Sequence, residues 1–292
     1  MNLSNAYGDN RFGLSFELFP PKTDAGVTAL QKHVSVLNEF SPSFITCTYG
    51  AGGSTRDKTL DILKNVKSSF GVPVASHLTC VGSTIDELRS YLQAVVEIGI
   101  ENIVALRGDP PQGETEFKPV DGGLSYANEL VALIKSEFPH LGIAVAGYPE
   151  KHQEAPDMAT DLNNLKRKVD AGGDAVITQL FYNNEDFFRF RDACEKVGIT
   201  IPIVPGLLPV TNLGQITRIT SLCGSKLPQS FVDRMSEQDS DEWQFSAGVE
   251  LAIEQSQELV DEGVPGIHYY VLNKSQATHR VLSAVSLPNG RT

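Results

Sequence analysis

Short apolar segments alternate with amphipathic segments along almost the whole chain. The apolar segments are rich in β-branched and aromatic residues, which predicts strands at 13–19, 44–50, 73–80, 102–108, 142–149, 175–182, 202–209 and 266–273. Between them, apolar residues recur at three- and four-residue spacing, which predicts helices at 24–39, 55–69, 83–98, 125–138, 157–171, 184–197, 211–222, 243–262 and 274–285.

Glycines mark many of the junctions in this alternation. Gly71, Gly99, Gly198 and Gly263 each stand between a predicted helix and the next strand, where the left-handed conformation that ends a helix favours glycine. Eight such strand–helix units predict a single α/β domain over 1–292, a (β/α)8 TIM barrel, with flexible ends at 1–12 and 287–292. A doubly wound open sheet is the alternative, and no Gly-rich dinucleotide turn opens the chain to favour it.

Two predicted loops are long. Residues 110–124 are rich in proline and glycine and follow the fourth predicted strand. Residues 223–242 are polar and acidic, with a short helix predicted near 228–235. Long loops in compact domains are often binding loops or lids, although a surface excursion explains the second one equally well.

Composition excludes several classes of partner. The chain has 24 basic and 36 acidic residues, and its net charge of −12 repels phosphate backbones, so nucleic acid is not an expected partner. No apolar run is long enough to span a membrane, and the polar N-terminus lacks the apolar core of a secretion signal. The four cysteines form no C-x-x-C pair, which is typical of free thiols in a reducing compartment. A cytoplasmic protein is predicted.

The carboxyl ends of the predicted strands carry the candidate chemistry, because ligands of TIM barrels bind at that face. The polar residues at these ends are Glu17, Thr48 with Tyr49, His77, Arg107 to Asp109, Tyr148 with His152, Gln179, and Tyr270 with Lys274. No G-x-S-x-G, P-loop or H-E-x-x-H motif occurs.

Glu17 is the sharpest single candidate. It alternates with Phe16 and Leu18 on a core strand and so faces the opposite side from both. Burial raises the pKa of a carboxyl, which would make Glu17 a general acid near neutral pH. The alternative is a structural carboxylate paired inside the barrel.

Three other groups each leave two interpretations open. Arg107 and Asp109 are a ligand-binding pair or a mutual ion pair. Gln179 suits a heteroaromatic ring or a carboxamide, or it is a buried amide satisfied by backbone. The run 166–168 supplies cations for an anionic ligand, or it is a solvated helix face.

A metal site is not predicted. His77 invites one beside Cys47 and Cys80, but His77 and Cys80 are three residues apart and point to opposite faces of a strand. Zinc requires convergent ligands.

These residues lie in segments that resemble the methylenetetrahydrofolate reductase family. The matching segments are S-F-E-L-F-P-P-K (15–22), T-Y-G-A-G-G (48–53), S-H-L-T-C (76–80), I-V-A-L-R-G-D-P-P (103–111), A-G-Y-P-E-K-H (146–152), D-L-N-N-L-K-R-K-V-D-A-G (161–172), I-T-Q-L-F-Y (177–182), P-G-L-L-P-V-T-N (205–212) and H-Y-Y-V-L-N (268–273). They cover nearly the whole chain in order, and the chain is most similar to the single-domain bacterial form.

The resemblance implies a flavoprotein that binds FAD across the strand ends. The residues implied to bind FAD are Thr48, Tyr49, Ala51, His77, Leu106, Arg107, Gly108, Asp109, Tyr126, Ala127, Ala146, Tyr148, His152, Ala155, Asp161, Asn164, Arg167 and Lys168. Asp161, Asn164 and Lys168 are spaced by three and four, so one helix face presents all three.

The resemblance also implies the reaction, an oxidoreductase step of one-carbon metabolism that supplies methionine biosynthesis. NADH, with NADPH as the alternative, passes hydride to FAD, and FAD passes it to 5,10-methylenetetrahydrofolate in a ping-pong cycle. Glu17 and Asp109 are the implied catalytic residues, the general acid and a carboxylate near pterin and flavin. The residues implied to bind substrate are Glu17, Asp109, Gln179, Gln215, Ile219, Tyr270 and Lys274.

Two positions depart from the family pattern. Lys274 stands where an arginine is frequent, which removes bidentate recognition of a carboxylate. Ile219 stands where an aromatic lid residue is expected. The alternatives to a reductase are a folate-binding methyltransferase barrel and a non-catalytic flavin-binding barrel. Relatives commonly assemble, so a homo-oligomer is expected.

Overall fold

A nearly closed barrel of parallel strands forms the centre of the protein. The computed structural model describes residues 3–8, 11–48, 56–110, 113–114 and 116–288. The strands are β1 Gly13–Leu18, β2 Phe44–Cys47, β3 Val74–Thr79, β4 Asn102–Leu106, β5 Gly142–Gly147, β6 Ala175–Thr178, β7 Ile203–Val204, β8 Gly206–Leu207 and β9 Gly266–Tyr270. They are hydrogen-bonded in the order β7-β6-β5-β4-β3-β2-β1-β9-β8.

The barrel closes through a single broken strand. The predicted strand 202–209 is interrupted at Pro205, so that β7 pairs with β6 and β8 pairs with β9. Proline has no N–H to donate to a ladder, but its carbonyl still accepts from His268 N at 2.9 Å. The predicted (β/α)8 barrel is therefore confirmed, and the open-sheet alternative is wrong.

The helices pack around the outside of the sheet. They are α1 Leu3–Ala6, α2 Asp24–Asn38, α3 Arg56–Phe70, α4 Ile85–Glu97, α5 Ala127–Glu137, α6 Met158–Asp170, α7 Asn184–Lys196, α8 Leu213–Cys223, α9 Gln229–Met235, α10 Asp241–Asp261 and α11 Gln276–Ala284. The predicted helices are all present within two residues of the predicted bounds, and α9 confirms the short helix in the second long loop. None of the helices in the described ranges is long and apolar enough to cross a bilayer.

The apolar core of the described residues has three clusters. The largest lies between the sheet and the helices and includes Phe16 and Tyr269. The second fills the barrel interior with residues such as Phe44 and Val204. The third, which includes Met235, lies where α8, α9 and α10 meet. The side chains that point into the barrel are therefore partly apolar packing and partly the polar groups of the open end.

The N-terminal segment closes the bottom of the barrel. Leu3 and Tyr7 are buried, Leu3 N donates to Asn102 Oδ1 at 2.9 Å, and Tyr7 Oη lies 2.8 Å from Ser15 Oγ. Leu3, Ala6 and Tyr7 all belong to the apolar cluster inside the barrel. Near the other end of the described chain, Leu287 is also buried.

Candidate active site

A cavity of about 910 Å³ opens at the carboxyl ends of the strands. This volume lies in the range of ligand and cofactor sites. The predicted site residues that line it are Glu17, Thr48, His77, Leu106, Arg107, Gly108, Asp109, Tyr126, Ala127, Ala146, Tyr148, His152, Ala155, Asp161, Asn164, Arg167, Lys168, Gln179, Ile219 and Tyr270. The tertiary structure thus brings together residues from five strands, from the loops that follow four strands, and from helices α5, α6 and α8.

Two predicted substrate residues do not line the cavity. Gln215 is exposed, because α8 turns Ile216 and Thr220 inward and leaves Gln215 on its outer face. Lys274 is also exposed, because the chain turns at Leu272 and Asn273 before reaching it. The predicted positions Tyr49 and Ala51 lie outside the described residues.

Glu17 faces two imidazoles at the floor of the cavity. Its Oε2 lies 3.2 Å from His77 Nε2 and 3.6 Å from His268 Nε2. Both nitrogens are buried, and within the described part of the chain neither is aligned for a hydrogen bond. The contacts show the pairing inside the barrel that was the alternative for Glu17.

The second imidazole is held from below. His268 Nδ1 lies 2.7 Å from Ser15 Oγ, which in turn lies 2.8 Å from Tyr7 Oη. Because Nδ1 is engaged, the Nε2 atom is the one that His268 presents to Glu17. A row of polar groups therefore extends from the closed end of the barrel to the cavity floor.

The protonation of Glu17 differs from the prediction. Burial by itself raises the pKa of the Glu17 carboxyl, as expected. The attraction of His77 and His268 outweighs burial and lowers the pKa from 4.5 to about 2. With both imidazoles in place, Glu17 is a carboxylate at neutral pH.

The three residues at the strand end, 107–109, have different surroundings. Arg107 pairs bidentately with Glu154, with Nη1–Oε2 at 2.5 Å and Nη2–Oε1 at 2.6 Å, and its guanidinium lies over the Phe117 ring. The partner of Arg107 is therefore Glu154, and the alternative of a mutual ion pair with Asp109 is wrong. Asp109 is exposed at the rim of the cavity.

Gly108 makes this strand end sterically feasible. Its φ is 89°, in the left-handed region that side chains disfavour. A Cβ atom there would lie 2.6 Å from Val81 Cγ1, well inside contact distance. The backbone at the cavity wall thus requires glycine for two independent reasons.

Helix α6 presents cations to the cavity. Lys168 is half-buried and donates from Nζ to Ala146 O at 2.5 Å, and Arg167 lies beside it on the cavity wall. Burial lowers the pKa of Lys168 to about 8, against the opposing attraction of Asp161. Lys166 turns outward and pairs with Asp170. The basic run is therefore divided, with Lys166 on the solvated face and the other two at the cavity.

Asp161 and Gln179 fix neighbouring parts of the wall. Asp161 is buried and accepts from His152 N at 2.9 Å, which anchors the loop after β5 to α6. Gln179 Oε1 accepts from Leu180 N at 2.9 Å. The amide NH2 of Gln179 is thereby left as the group that faces the cavity, so the amide acts mainly as a donor there.

Several residues of the site have no counterpart among the predicted ones, including Glu154, Phe19 and His268. Glu154 is a loop residue without any pattern that marks it, and only the fold places it beside Arg107. Phe19 is the last residue of the predicted strand 13–19, and it lines the cavity with 41% of its surface exposed. His268 shares a strand face with Tyr270, and this two-residue spacing could have identified it.

The sequence matches a described protein family over almost its full length. A family model named Methylenetetrahydrofolate reductase covers residues 2–286. The 5,10-methylenetetrahydrofolate reductase of Escherichia coli (strain K12) is 38% identical over 291 residues, covering 99% of this chain and 96% of that protein. Methylenetetrahydrofolate reductase (NADH) 1 of Zea mays is 38% identical over 293 residues, covering 97% of this chain and 49% of the plant protein. The chain spans about half the length of the plant relatives.

The fold also has relatives among solved structures. A Clostridium thermocellum protein described as binding two copies of 5-methyl-5,6,7,8-tetrahydrofolic acid has a TM-score of 0.62 and 16% identity, with 94% of each chain covered. At this identity the likeness shows the barrel fold. The family model and the full-length bacterial match go further, and by them this chain belongs to the methylenetetrahydrofolate reductase family.

Proposed function

We propose that this protein catalyses FAD-dependent reduction of 5,10-methylenetetrahydrofolate to 5-methyltetrahydrofolate, with NADH as hydride donor in a ping-pong cycle. The observation that carries the proposal is a paired carboxylate, Glu17, at the floor of a cavity whose wall on α6 carries cations. Together these features support a proton source for the folate and a holding site for a dinucleotide in one cavity of a family member.

The wall of the cavity fits FAD by the chemistry of its donors. Asn164, Arg167 and Lys168 lie on the face of α6 that lines the cavity and suit a pyrophosphate, which accounts for local cations on an acidic chain. Leu106, Ala146 and Tyr148 supply apolar and aromatic surface to the same cavity. FAD, when bound, supplies the acceptor and donor of hydride.

Glu17 delivers a proton to the folate. Without ligand its carboxylate is stabilised by His77 and His268. His77 also lines the cavity, so a ligand that engages its ring withdraws one of the two stabilising contacts from Glu17. Burial, which raises the pKa of Glu17, then has less opposition, and the carboxyl can hold the proton that the folate requires.

Asp109 and Gln179 orient the reacting ring. Asp109 places a negative charge at the rim, which stabilises a cation developing on the substrate. Gln179 offers its NH2 group as a donor to a ring or carboxamide oxygen. Both residues line the one cavity that the two substrates would occupy in turn in a ping-pong cycle.

Purified protein tests the proposal directly. The expected result is a yellow protein whose flavin is bleached by NADH without oxygen and recovered by methylenetetrahydrofolate. Colourless protein with stoichiometric zinc would instead favour the methyltransferase barrel. Bound flavin that NADH reduces but folate never reoxidises would favour the non-catalytic barrel.

The choice of nicotinamide is part of the proposal. The relative from Zea mays is named as an NADH enzyme. We expect flavin reduction by NADH to be faster than by NADPH at equal concentration in anaerobic rapid mixing. The reverse order would contradict this part alone and leave the folate half-reaction unaffected. Cytoplasmic location and homo-oligomeric assembly stay predictions.

A further inference from the structure

The side chain of Asn273 joins the end of β1 to the turn after β9. Phe19 N donates to Asn273 Oδ1 at 3.0 Å, and Asn273 Nδ2 donates to Phe19 O at 2.7 Å. The last backbone pair of these two strands is Glu17 with Tyr270. The amide of Asn273 therefore extends the seam past the end of the ladder and satisfies both backbone groups of Phe19. We call these two bonds the Asn273 clamp.

The turn that carries the clamp has an uncommon backbone. Leu272 and Asn273 have φ values of 47° and 55°, both in the left-handed region. Asparagine tolerates that region better than most residues, whereas leucine does not. Residues in such conformations persist where the surrounding structure holds them, and they cluster at functional sites. The two hydrogen bonds of the Asn273 clamp help to stabilise this left-handed backbone.

The clamp fixes an apolar surface that faces the cavity. Phe19 and Leu272 both line the cavity, on the side that also carries Glu17 and Tyr270. Phe19 is among the most exposed large hydrophobic residues of the described chain, at 41%. Its backbone is nevertheless held at both its N–H and its carbonyl. A fixed, exposed aromatic ring beside an acid is a surface suited to cover the face of a ring-bearing ligand.

The position of the clamp distinguishes between the two ligands of the cavity. The residues implied to bind FAD lie on or after β2 to β5 and on α5 and α6, whereas Phe19 and Asn273 follow β1 and β9. Phe19 is two residues beyond Glu17, the residue that acts only when the folate is bound. We therefore expect Phe19 to contact the substrate that Glu17 protonates.

We propose that Asn273 is a positioning residue that holds Phe19 against the reduced heterocyclic ring of the substrate protonated by Glu17. The proposal rests on the proposed function, because the identity of the ring comes from it. It adds a specificity-determining wall, Phe19, and the residue that fixes this wall in place.

The test uses the full chain with FAD and two variants of the clamp. Asn273→Gly keeps a backbone that tolerates positive φ and removes both bonds. We expect KM for methylenetetrahydrofolate to rise about fivefold or more, with the rate of flavin reduction by NADH within threefold of wild type. Asn273→Asp retains the acceptor for Phe19 N and loses the donor to Phe19 O. Its KM for methylenetetrahydrofolate should therefore lie between those of wild type and Asn273→Gly. It also keeps the proposal testable if Asn273→Gly does not fold.

A double variant separates positioning from a merely structural role. Phe19→Ala should raise KM for the folate at least as much as Asn273→Gly, and the double variant should be no worse than Phe19→Ala alone. The proposal is overturned if the KM increases of the two single variants multiply in the double variant. It is also overturned if the flavin-reduction and folate-reduction rates fall equally. Ser41→Gly is the matched control, because Ser41 also has a left-handed φ of 51° but does not line the cavity, and its kinetics should equal wild type. If wild type itself reduces no folate, the proposed function fails instead.

Discussion

His77 Nε2 lies 3.2 Å from Glu17 Oε2 across the barrel floor, so the imidazole acts directly on the carboxylate. His77 belongs to β3 and Glu17 to β1, so the strand between them separates their backbones. Among the neighbouring groups, His77 makes the largest contribution to lowering the pKa of Glu17. The first two predictions follow from this relationship.

Glu17→Gln should separate the two half-reactions. The amide keeps the shape of the carboxyl but has no proton to deliver, so folate reduction should fall by about 100-fold or more. FAD content and NADH oxidation with an artificial acceptor should stay near wild type, because neither needs the acid. Stopped-flow measurement of both half-reactions tests this, and folate turnover within about tenfold of wild type would refute the assignment.

Acid stability should depend on the same unit. The pKa of Glu17 in the folded state is about 2, below its ordinary value of 4.5. The stabilisation is therefore complete above pH 4.5 and is lost as the pH falls toward 2, with a maximum of about 3 kcal/mol. His77→Gln removes one of the two lowering charges, so its unfolding free energy should vary less between pH 5 and pH 3. Urea titrations of apoprotein at each pH measure this, and identical pH dependences would contradict it.

Lys168→Gln should weaken FAD binding, whereas Lys166→Gln should not. The two lysines are on the same helix, but Lys168 lines the cavity and Lys166 pairs with Asp170 outside it. Loss of a charge-assisted contact should cost about 10- to 100-fold in FAD affinity. Equal losses of FAD affinity in the two variants would contradict the assignment of Lys168 to the pyrophosphate site.

The affinity for FAD should also fall with rising pH in the wild type. Lys168 has a pKa of about 8 without ligand, and a nearby anion raises it, so binding takes up a proton above pH 8. The dissociation constant should increase between pH 8 and pH 9.5 for wild type and stay nearly flat for Lys168→Gln. Fluorescence titration of FAD at each pH gives both curves.

Gly108→Ala should be more damaging than an alanine at an equally left-handed glycine elsewhere. Gly122 has a φ of 70° and nothing within 4 Å of an added Cβ, so Gly122→Ala should cost only the backbone strain of about 1–2 kcal/mol. Gly108→Ala adds the collision with Val81 and should lose a further 1–3 kcal/mol or so, with weaker FAD binding. Thermal and urea unfolding measure the loss of unfolding free energy in each variant. Equal losses would show that the Val81 side chain moves away from an added Cβ atom without an energetic cost.

Sequence patterns were sufficient for the elements and for most positions of the site. The helix predictions succeed because one face of each helix packs on the sheet, so the apolar spacing records its environment. The strand predictions run past the observed ends, as at 175–182 against Ala175–Thr178, because the rim residues remain apolar after the ladder stops. Lys274 and Gln215 lie outside the cavity lining, because nearness in sequence to a strand end or helix start does not determine which way a side chain points.

Local patterns along the chain were enough for the order of the eight predicted strands and of the helices between them, since local periodicity encodes burial. Helix α1 and the break of the strand at Pro205 were not predicted. It also determined that polar residues gather at one end of the barrel, since parallel strands all end there. Only the tertiary structure decided which groups meet. Arg107 pairs with a residue 47 positions away, and His268 is oriented by Ser15 at a separation of 253. The charge state of Glu17 follows from such long-range neighbours, because a pKa responds to distance in space and not to order along the chain.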